Sequence, residues 1–192
     1  MSKTSFGVIV VSIVLALAGC AKKDEAPTLH ASMKGVMEPN AETIWDLVSA
    51  SYNIVGDGLV TDKLSDADWK TIADSSSLLK ERADQIALAP HIVVSDAKEG
   101  ILGSQDVGKP GKIGIAWDAV DAKTVQGRID AQPELFKEKA RGLANAAAAI
   151  NHAAQMKDAA LLYKATSGLD EVCDSCHEPF WGTDEPPAPP RF

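Results

Sequence analysis

Apolar residues recur every three or four positions over four stretches of the chain, and this spacing predicts four amphipathic helices. The predicted stripes are Met33, Met37, Ala41, Ile44, Val48 and Val55; Trp69, Ile72, Ser76, Leu79, Ala83 and Ile86; Phe136, Ala140, Leu143, Ala147, Ile150 and Ala154; and Leu162, Ala165, Leu169, Val172 and Cys176. Alanine is abundant and only 5% of the residues are aromatic, which favours helix over strand. The predicted fold class is therefore all-α, with the helices packed as a bundle.

The sequence also marks where these helices begin and end. Thr28 can cap the first helix, and Pro39 cannot donate to the carbonyl of Gly35, so the helix is kinked there or restarts with Pro39 at its first position. Ser65 and Asp68 form a start similar to a capping box for the second helix. The remaining predicted boundaries are Gly56-Asp57-Gly58, Pro90, Pro133 and Lys157-Asp158.

Glycines and prolines divide the chain outside these helices. Residues 90–126 contain five glycines, all between Gly100 and Gly114, and predict a long loop that crosses the bundle, with a short helix from Trp117 to Val125. Residues 182–192 predict a proline-rich tail. The predicted domain is one helical bundle over residues 28–181, and 192 residues with 45% hydrophobic content can bury a sizeable core.

The first residues predict export rather than fold. Lys3 is followed by an almost wholly apolar run from Gly7 to Ala18, too short for a confident transmembrane helix, so residues 1–19 are predicted to be a secretory signal. The tetrapeptide from Leu17 to Cys20 resembles the lipobox of bacterial lipoproteins. That resemblance implies a lipid on Cys20, a tether over residues 20–27 and a membrane-anchored protein in the periplasm. Ala21, where inner-membrane lipoproteins have Asp, favours the outer membrane.

The charge of the chain is acidic. Removal of residues 1–19 would leave 18 basic and 27 acidic side chains, a formal charge of −9. This balance makes nucleic acid an unsuitable partner, and it would allow electrostatic steering of a basic redox protein.

The strongest chemical signal is the pentapeptide Cys173-Asp174-Ser175-Cys176-His177. This C-x-x-C-H pattern is the attachment signature of a c-type haem, in which two thiols form thioethers and the histidine is the proximal iron ligand. A zinc site would need a second pair of ligands, and a redox disulfide is expected in a βαβ context that the chain does not indicate. Both remain alternatives, but the pattern favours one covalent haem c held by Cys173, Cys176 and His177.

Four amphipathic helices with C-x-x-C-H near the end of the last one resemble the class II c-type cytochromes, the cytochrome c′ group. The resemblance covers residues 28–181 and implies an antiparallel four-helix bundle around one haem c. Low-spin members of that group use a methionine of the first helix as the sixth iron ligand, whereas high-spin members leave the position open and bind gases such as NO or CO. A homodimer is a further expectation by resemblance.

The resemblance implies a distal ligand on the first helix. In the Met-ligated relatives the methionine lies near the start of that helix and is followed by a proline and then a tryptophan, as Met33 is followed here by Pro39 and Trp45. Met33 is therefore the predicted ligand and Met37 the alternative, while both could be core residues. His30, His91 and His152 are weaker candidates, and Trp45, Trp69 and Trp181 are expected to pack in the core or against the haem.

These predictions together indicate a membrane-anchored periplasmic monohaem cytochrome that transfers single electrons to redox partner proteins. The sequence shows no general base, nucleophile or phosphate loop, so an enzyme is not expected. A five-coordinate gas-binding cytochrome c′ is the alternative function, and a lipoprotein with thiols for metal handling or redox buffering is a third.

Overall fold

The computed structural model describes residues 27–96 and 120–181, which are helical apart from turns and connections. The helices are α1 (Leu29–Ser32), a π-helical turn (Met33–Met37), α2 (Glu38–Ala50), a short 3₁₀ turn (Thr61–Lys63), α3 (Asp66–Leu88), α4 (Ala122–Ala131), α5 (Pro133–Met156), α6 (Ala159–Thr166) and α7 (Leu169–Trp181). Within these residues there is no strand, only a single bridge between Tyr52 and Leu59. The predicted all-α fold class is confirmed.

Four long elements form the bundle: the first helix (α1, the π turn and α2), α3, α5 and the fourth helix (α6 and α7). Contacts between neighbours pair the start of one element with the end of the next, which makes each pair antiparallel. The pairs are Ser32 with Arg82, Tyr52 with Lys63, Asp66 with Lys157, Ala73 with Asn151, Phe136 with Phe180, and Tyr52 with Tyr163.

The second and third predicted stripes describe the core well. All six predicted residues of α3 are buried, from Trp69 to Ile86, and in α5 only Leu143 is half-buried. On the first helix the prediction for Val55 is wrong. This side chain is 73% exposed, because α2 ends at Ala50 and the chain turns sharply at Gly56, where φ is +76°. The helix therefore ends at Ala50, five residues before the last residue of the predicted stripe.

Pro39 both restarts the helix and changes its winding. It occupies the second position of α2, where its missing N–H needs no partner within the helix. Before it, the N–H of Glu38 donates to the carbonyl of Met33, five residues back, which is the bond of a π turn. The Asn40 side chain donates to the carbonyl of Val36 at 2.7 Å. The predicted disruption at Pro39 thus takes the form of one wide turn.

The fourth helix is broken where a single helix had been expected. α6 ends at Thr166 and α7 begins at Leu169, so Ser167 and Gly168 form a turn between them. Glycine is about 1 kcal/mol less favourable than alanine inside a helix, which makes Gly168 the weakest point of this stretch. Leu162 and Leu169 are nevertheless both fully buried, so the break leaves the two halves facing the same core.

The connection between α3 and α5 contains a helix that extends beyond the predicted one. α4 covers Ala122–Ala131, six residues past the predicted end at Val125, and Asp121 caps its start by accepting from the N–H of Thr124. Residues 1–26, 97–119 and 182–192 lie outside the described residues, and with them the predicted signal, Cys20, most of the tether, most of the crossing loop and the tail. In the part that is described, no helix is long and apolar enough to cross a membrane.

The capping box of α3 generates a prediction about pH. The carboxylate of Asp68 accepts two hydrogen bonds from Ser65, one from its hydroxyl (2.7 Å) and one from its backbone N–H (2.8 Å). These bonds hold the pKa of Asp68 below its ordinary value. A carboxyl with a depressed folded pKa stabilises the protein above the unfolded pKa, and the effect is lost as the pH falls through the folded pKa.

We therefore expect Asp68→Asn to lower the melting temperature by a few degrees at neutral pH, and the difference from the wild type to shrink in acid. Asp74→Asn is the matched control, because Asp74 only pairs with Lys70 on the exposed face of the same helix. Calorimetry across an acidic pH series measures both. If Asp68→Asn lowers the melting temperature by the same amount at every pH, this assignment is contradicted.

Candidate haem site

The haem motif lies on the inward face of α7. Leu169, Cys173, Cys176 and Phe180 follow one another at steps of four, three and four, which is one helical stripe. Leu169 and Phe180 are both fully buried, whereas the two cysteines between them are half-buried free thiols. The stripe is thus fully packed at both ends and incompletely covered at the two positions that would carry thioethers.

The end of this stripe is fixed to the neighbouring helices. The Phe180 ring stands edge-on to Phe136 of α5, with centroids 4.9 Å apart, and the carbonyl of Phe180 accepts from the Arg128 guanidinium of α4 at 3.1 Å. A cation near the carbonyl end of a helix also complements its dipole. These contacts fix the orientation of the last two turns of α7, which carry Cys176 and His177.

Both thiols are held in their protonated form. Burial raises the pKa of Cys173 to about 11, assisted by the negative charges of Asp170 and Asp174. Burial also raises the pKa of Cys176 to about 12, with a smaller contribution from Cys173 and an opposing one from Lys139. Reactive C-x-x-C pairs have lowered pKa values, because the thiolate is the nucleophile and the metal ligand. The raised pKa values of this pair therefore do not favour a redox-active disulfide.

His177 follows Cys176 directly and lies about 100° further round α7. Burial lowers the pKa of His177, and the nearby Asp174 carboxylate opposes this shift. The imidazole is therefore neutral at neutral pH, which is the form that binds a metal. The Trp181 ring lies edge-on to it at a centroid distance of 5.9 Å.

The first helix and α7 are not close neighbours in the bundle. α7 packs chiefly against α5 and α4, while the first helix approaches the fourth chiefly through α6, at the other end of the bundle. Apolar side chains that pack against the core but are only partly buried include Met33, Trp45, Leu135, Leu143, Ala146, Ala165, Cys173, Cys176 and Trp181.

Trp45, a partly buried residue of α2, carries an unsatisfied polar atom. Its indole Nε1 is buried and has no hydrogen-bond acceptor among the described residues. A buried donor without an acceptor is costly, and a carboxylate of a bound group would satisfy it. Incompletely covered thiols, a neutral histidine and this donor fit a flat, mostly apolar cofactor with acidic substituents, as haem is.

The other predicted ligands occupy different positions. Met37 is 6% exposed on the core stripe of the first helix, and Met33 beside it is half-buried. His91 is exposed on the surface, and His152 is exposed near the end of α5 that packs against α6, several turns from His177. The described residues contain no cluster of three or more His, Cys, Asp and Glu that could hold a metal ion, so they offer the zinc alternative no further ligands.

Sequence reasoning missed one buried residue of this region. Ser32 is fully buried beside Met33, and its hydroxyl accepts from Arg82 of α3 at 3.2 Å. The periodicity had placed Met33 rather than Ser32 on the core stripe. Pro39 was the available signal, because a proline inside a helical pattern disturbs the winding of the turn before it.

Among the comparisons with known proteins, the one with family models finds a match. The family model described as Cytochrome C' matches residues 118–181, about a third of the chain, and this range contains α4 to α7. No curated protein and no solved structure matches the chain. The match supports a class II c-type cytochrome, and it confirms haem c as the cofactor, since Cys173 and Cys176 lie within the matched residues.

We expect the exported protein to carry haem through both thioethers, so that its mass in denaturant exceeds that of the mature polypeptide by one haem. The double substitution Cys173→Ala and Cys176→Ala should remove the covalent haem completely, whereas Ser175→Ala, which changes an intervening side chain, should retain it. Intact-mass spectrometry and haem staining after denaturing electrophoresis measure the difference. A colourless wild-type protein of polypeptide mass would refute the assignment.

Proposed function

We propose that this protein is a membrane-anchored, periplasmic carrier of single electrons whose haem iron is ligated by His177 and Met33. The observation that carries the proposal is the placement of the C-x-x-C-H motif on the incompletely covered stripe of α7, with a methionine available on the first helix. A histidine and methionine pair raises the potential of a haem and suits it to electron transfer.

Each residue has a defined role in this proposal. Cys173 and Cys176 would hold the cofactor covalently, and the neutral His177 imidazole and the Met33 thioether would be the two protein ligands of its iron. When bound, the haem iron supplies the one-electron redox chemistry. The surrounding apolar side chains exclude water, and the Asp170 and Asp174 carboxylates place negative charge beside the motif. No substrate has to be converted, so the proposal is a carrier and not an enzyme.

The proposed partners follow from charge and from the first residues of the chain. A formal charge of −9 after removal of residues 1–19 favours a redox partner with a basic docking surface and disfavours nucleic acid. A lipid on Cys20 would hold the protein at a membrane, with the outer membrane favoured by Ala21. A homodimer remains part of the proposal.

A gas-binding cytochrome c′ with an open sixth position is the second candidate. The observation in its favour is Met37, which is buried on the core stripe of the first helix. This side chain could cover an open iron site without binding to it. The two candidates therefore differ in whether a methionine sulfur reaches the iron.

The ferric optical spectrum distinguishes them. We expect a low-spin spectrum with the weak sulfur-to-iron band in the far red, and we expect Met33→Ala to abolish this band and lower the midpoint potential. Met37→Ala is the matched control, and it should keep the band although it destabilises the fold by removing a buried side chain. A high-spin wild-type spectrum that changes on addition of CO would favour the gas binder instead.

The anchor is tested separately. We expect the wild-type protein to fractionate with membranes, because several acyl chains, each contributing about 0.8 kcal/mol per buried methylene, make the attachment stable. Cys20→Ser should move the holoprotein to the soluble periplasmic fraction with an unchanged spectrum. Equal membrane association of both proteins would contradict lipidation of Cys20.

A further inference from the structure

The buried stripe of the first helix changes its spacing at the π turn. Its buried residues are Leu29, Ser32, Met37, Ala41, Ile44 and Val48. All steps are three or four except the step of five from Ser32 to Met37, which spans the π turn. A π turn contains one more residue than the regular α-helical pattern, so α1 and α2 bury residues that are out of phase by one position.

This change of phase moves Met33 off the core stripe. In the phase of α2, Met33 would lie four residues before Met37 and face the core in the same direction. In the phase of α1, Ser32 faces the core and Met33 lies about 100° further round the helix. The burial agrees with the second arrangement, because Ser32 is fully buried and Met33 is only half-buried.

The flank on which Met33 then lies faces the fourth helix. Trp45 lies in the same rotational direction from the buried Ile44. The opposite flank is partly buried at Thr43 and Leu47, and α2 packs chiefly against α3. The flank of Met33 and Trp45 is therefore the one away from α3 and towards the fourth helix. Met33 thus faces the helix pair that carries His177.

Two features hold α1 in this phase. The first is Pro39, which cannot supply the N–H that a regular helix would donate to Gly35. The second is an extended segment, residues 92–94, which we call the strap. The carbonyls of Val93 and Val94 accept from the N–H groups of Leu29 (2.8 Å) and His30 (2.9 Å), which satisfies the start of α1.

Gln126 of α4 fixes the strap from its other side. Its side-chain oxygen accepts from the N–H of Val94 and its nitrogen donates to the carbonyl of Ile92, both at 2.9 Å. Ile92 and Val94 are buried, so these backbone groups depend on the protein for their partners. The strap is therefore held between Gln126 and the first turn of α1.

We propose that Pro39 and Gln126 are positioning residues for ligation of the haem iron by Met33. This inference rests on the proposed function, in which Met33 is the distal ligand. Pro39 disfavours regular α-helical winding, which would bring α1 into the phase of α2. Gln126, through the strap, keeps Leu29 and Ser32 in the core. Without them, Met33 would return to the core stripe as an ordinary packing residue.

The test uses the holoprotein with Pro39→Ala, Gln126→Ala and the double substitution. We expect each single variant to weaken the sulfur-to-iron band and the double variant to lose most of it, with a lower midpoint potential and a larger high-spin fraction. Pro133→Ala and Gln155→Ala are matched controls and should keep the band. Pro133 is the first residue of α5, and the exposed Gln155 side chain donates only within its own helix, to Asn151.

A second readout does not depend on the iron. Amide hydrogen exchange at Leu29 and His30 should accelerate in Gln126→Ala, because the strap that accepts from these groups is released. Gln126→Glu can still accept from Val94, but its carboxylate would face the Ile92 carbonyl and the Asp130 carboxylate, to both of which the Gln126 nitrogen donates at 2.9 Å. We therefore expect an acceleration and a loss of the band at least as large as in Gln126→Ala.

The outcomes separate this inference from the function on which it rests. If Met33→Ala abolishes the band but the double variant keeps it at full intensity with an unchanged potential, the positioning inference fails and the proposed ligand stands. If the wild-type spectrum has no sulfur band, the proposed ligation fails, and the inference with it.

Discussion

A protein that holds a flat apolar cofactor inside a bundle must leave part of its own core unfilled. Protein interiors are otherwise packed as densely as organic crystals, so an incompletely covered stretch of an inward-facing stripe is informative. On α7 this stretch coincides with Cys173 and Cys176, while Leu169 and Phe180 on either side are fully buried. The rest of the site follows from this constraint, because α5 and the first helix have to line the same space.

The electrostatics of the motif fit attachment better than thiol chemistry. Burial and the neighbouring carboxylates raise the pKa of both thiols, and burial lowers the pKa of the adjacent histidine. All three groups are therefore neutral at neutral pH. Converting two neutral thiols into thioethers leaves no buried charge behind, whereas a buried thiolate pair would need compensating cations.

The sequence predicted the features that depend on local patterns. The stripe of α3, its capping box and the turn at Lys157-Asp158 were all recognisable, because periodicity, capping and turn chemistry agree there. The break at Gly168 and the early end of α2 were not, since in both places the apolar spacing continues past the end of the helix. The haem motif was readable because its chemistry depends on adjacent residues rather than on the fold.

The phase of α1 was not predicted, because the hydrophobic pattern favours the wrong phase and Pro39 indicates a disturbance of the helix without giving its direction. A methionine on the core stripe and a serine beside it is the arrangement that burial alone would select. The structure instead buries Ser32, whose hydroxyl is satisfied by Arg82, and leaves Met33 half-buried on the flank towards the fourth helix. Burying the polar Ser32 and leaving the apolar Met33 outside the core is not what stability alone favours. Such departures are expected at functional sites. The Met33 thioether, which packing alone would have buried, thereby stays outside the core stripe.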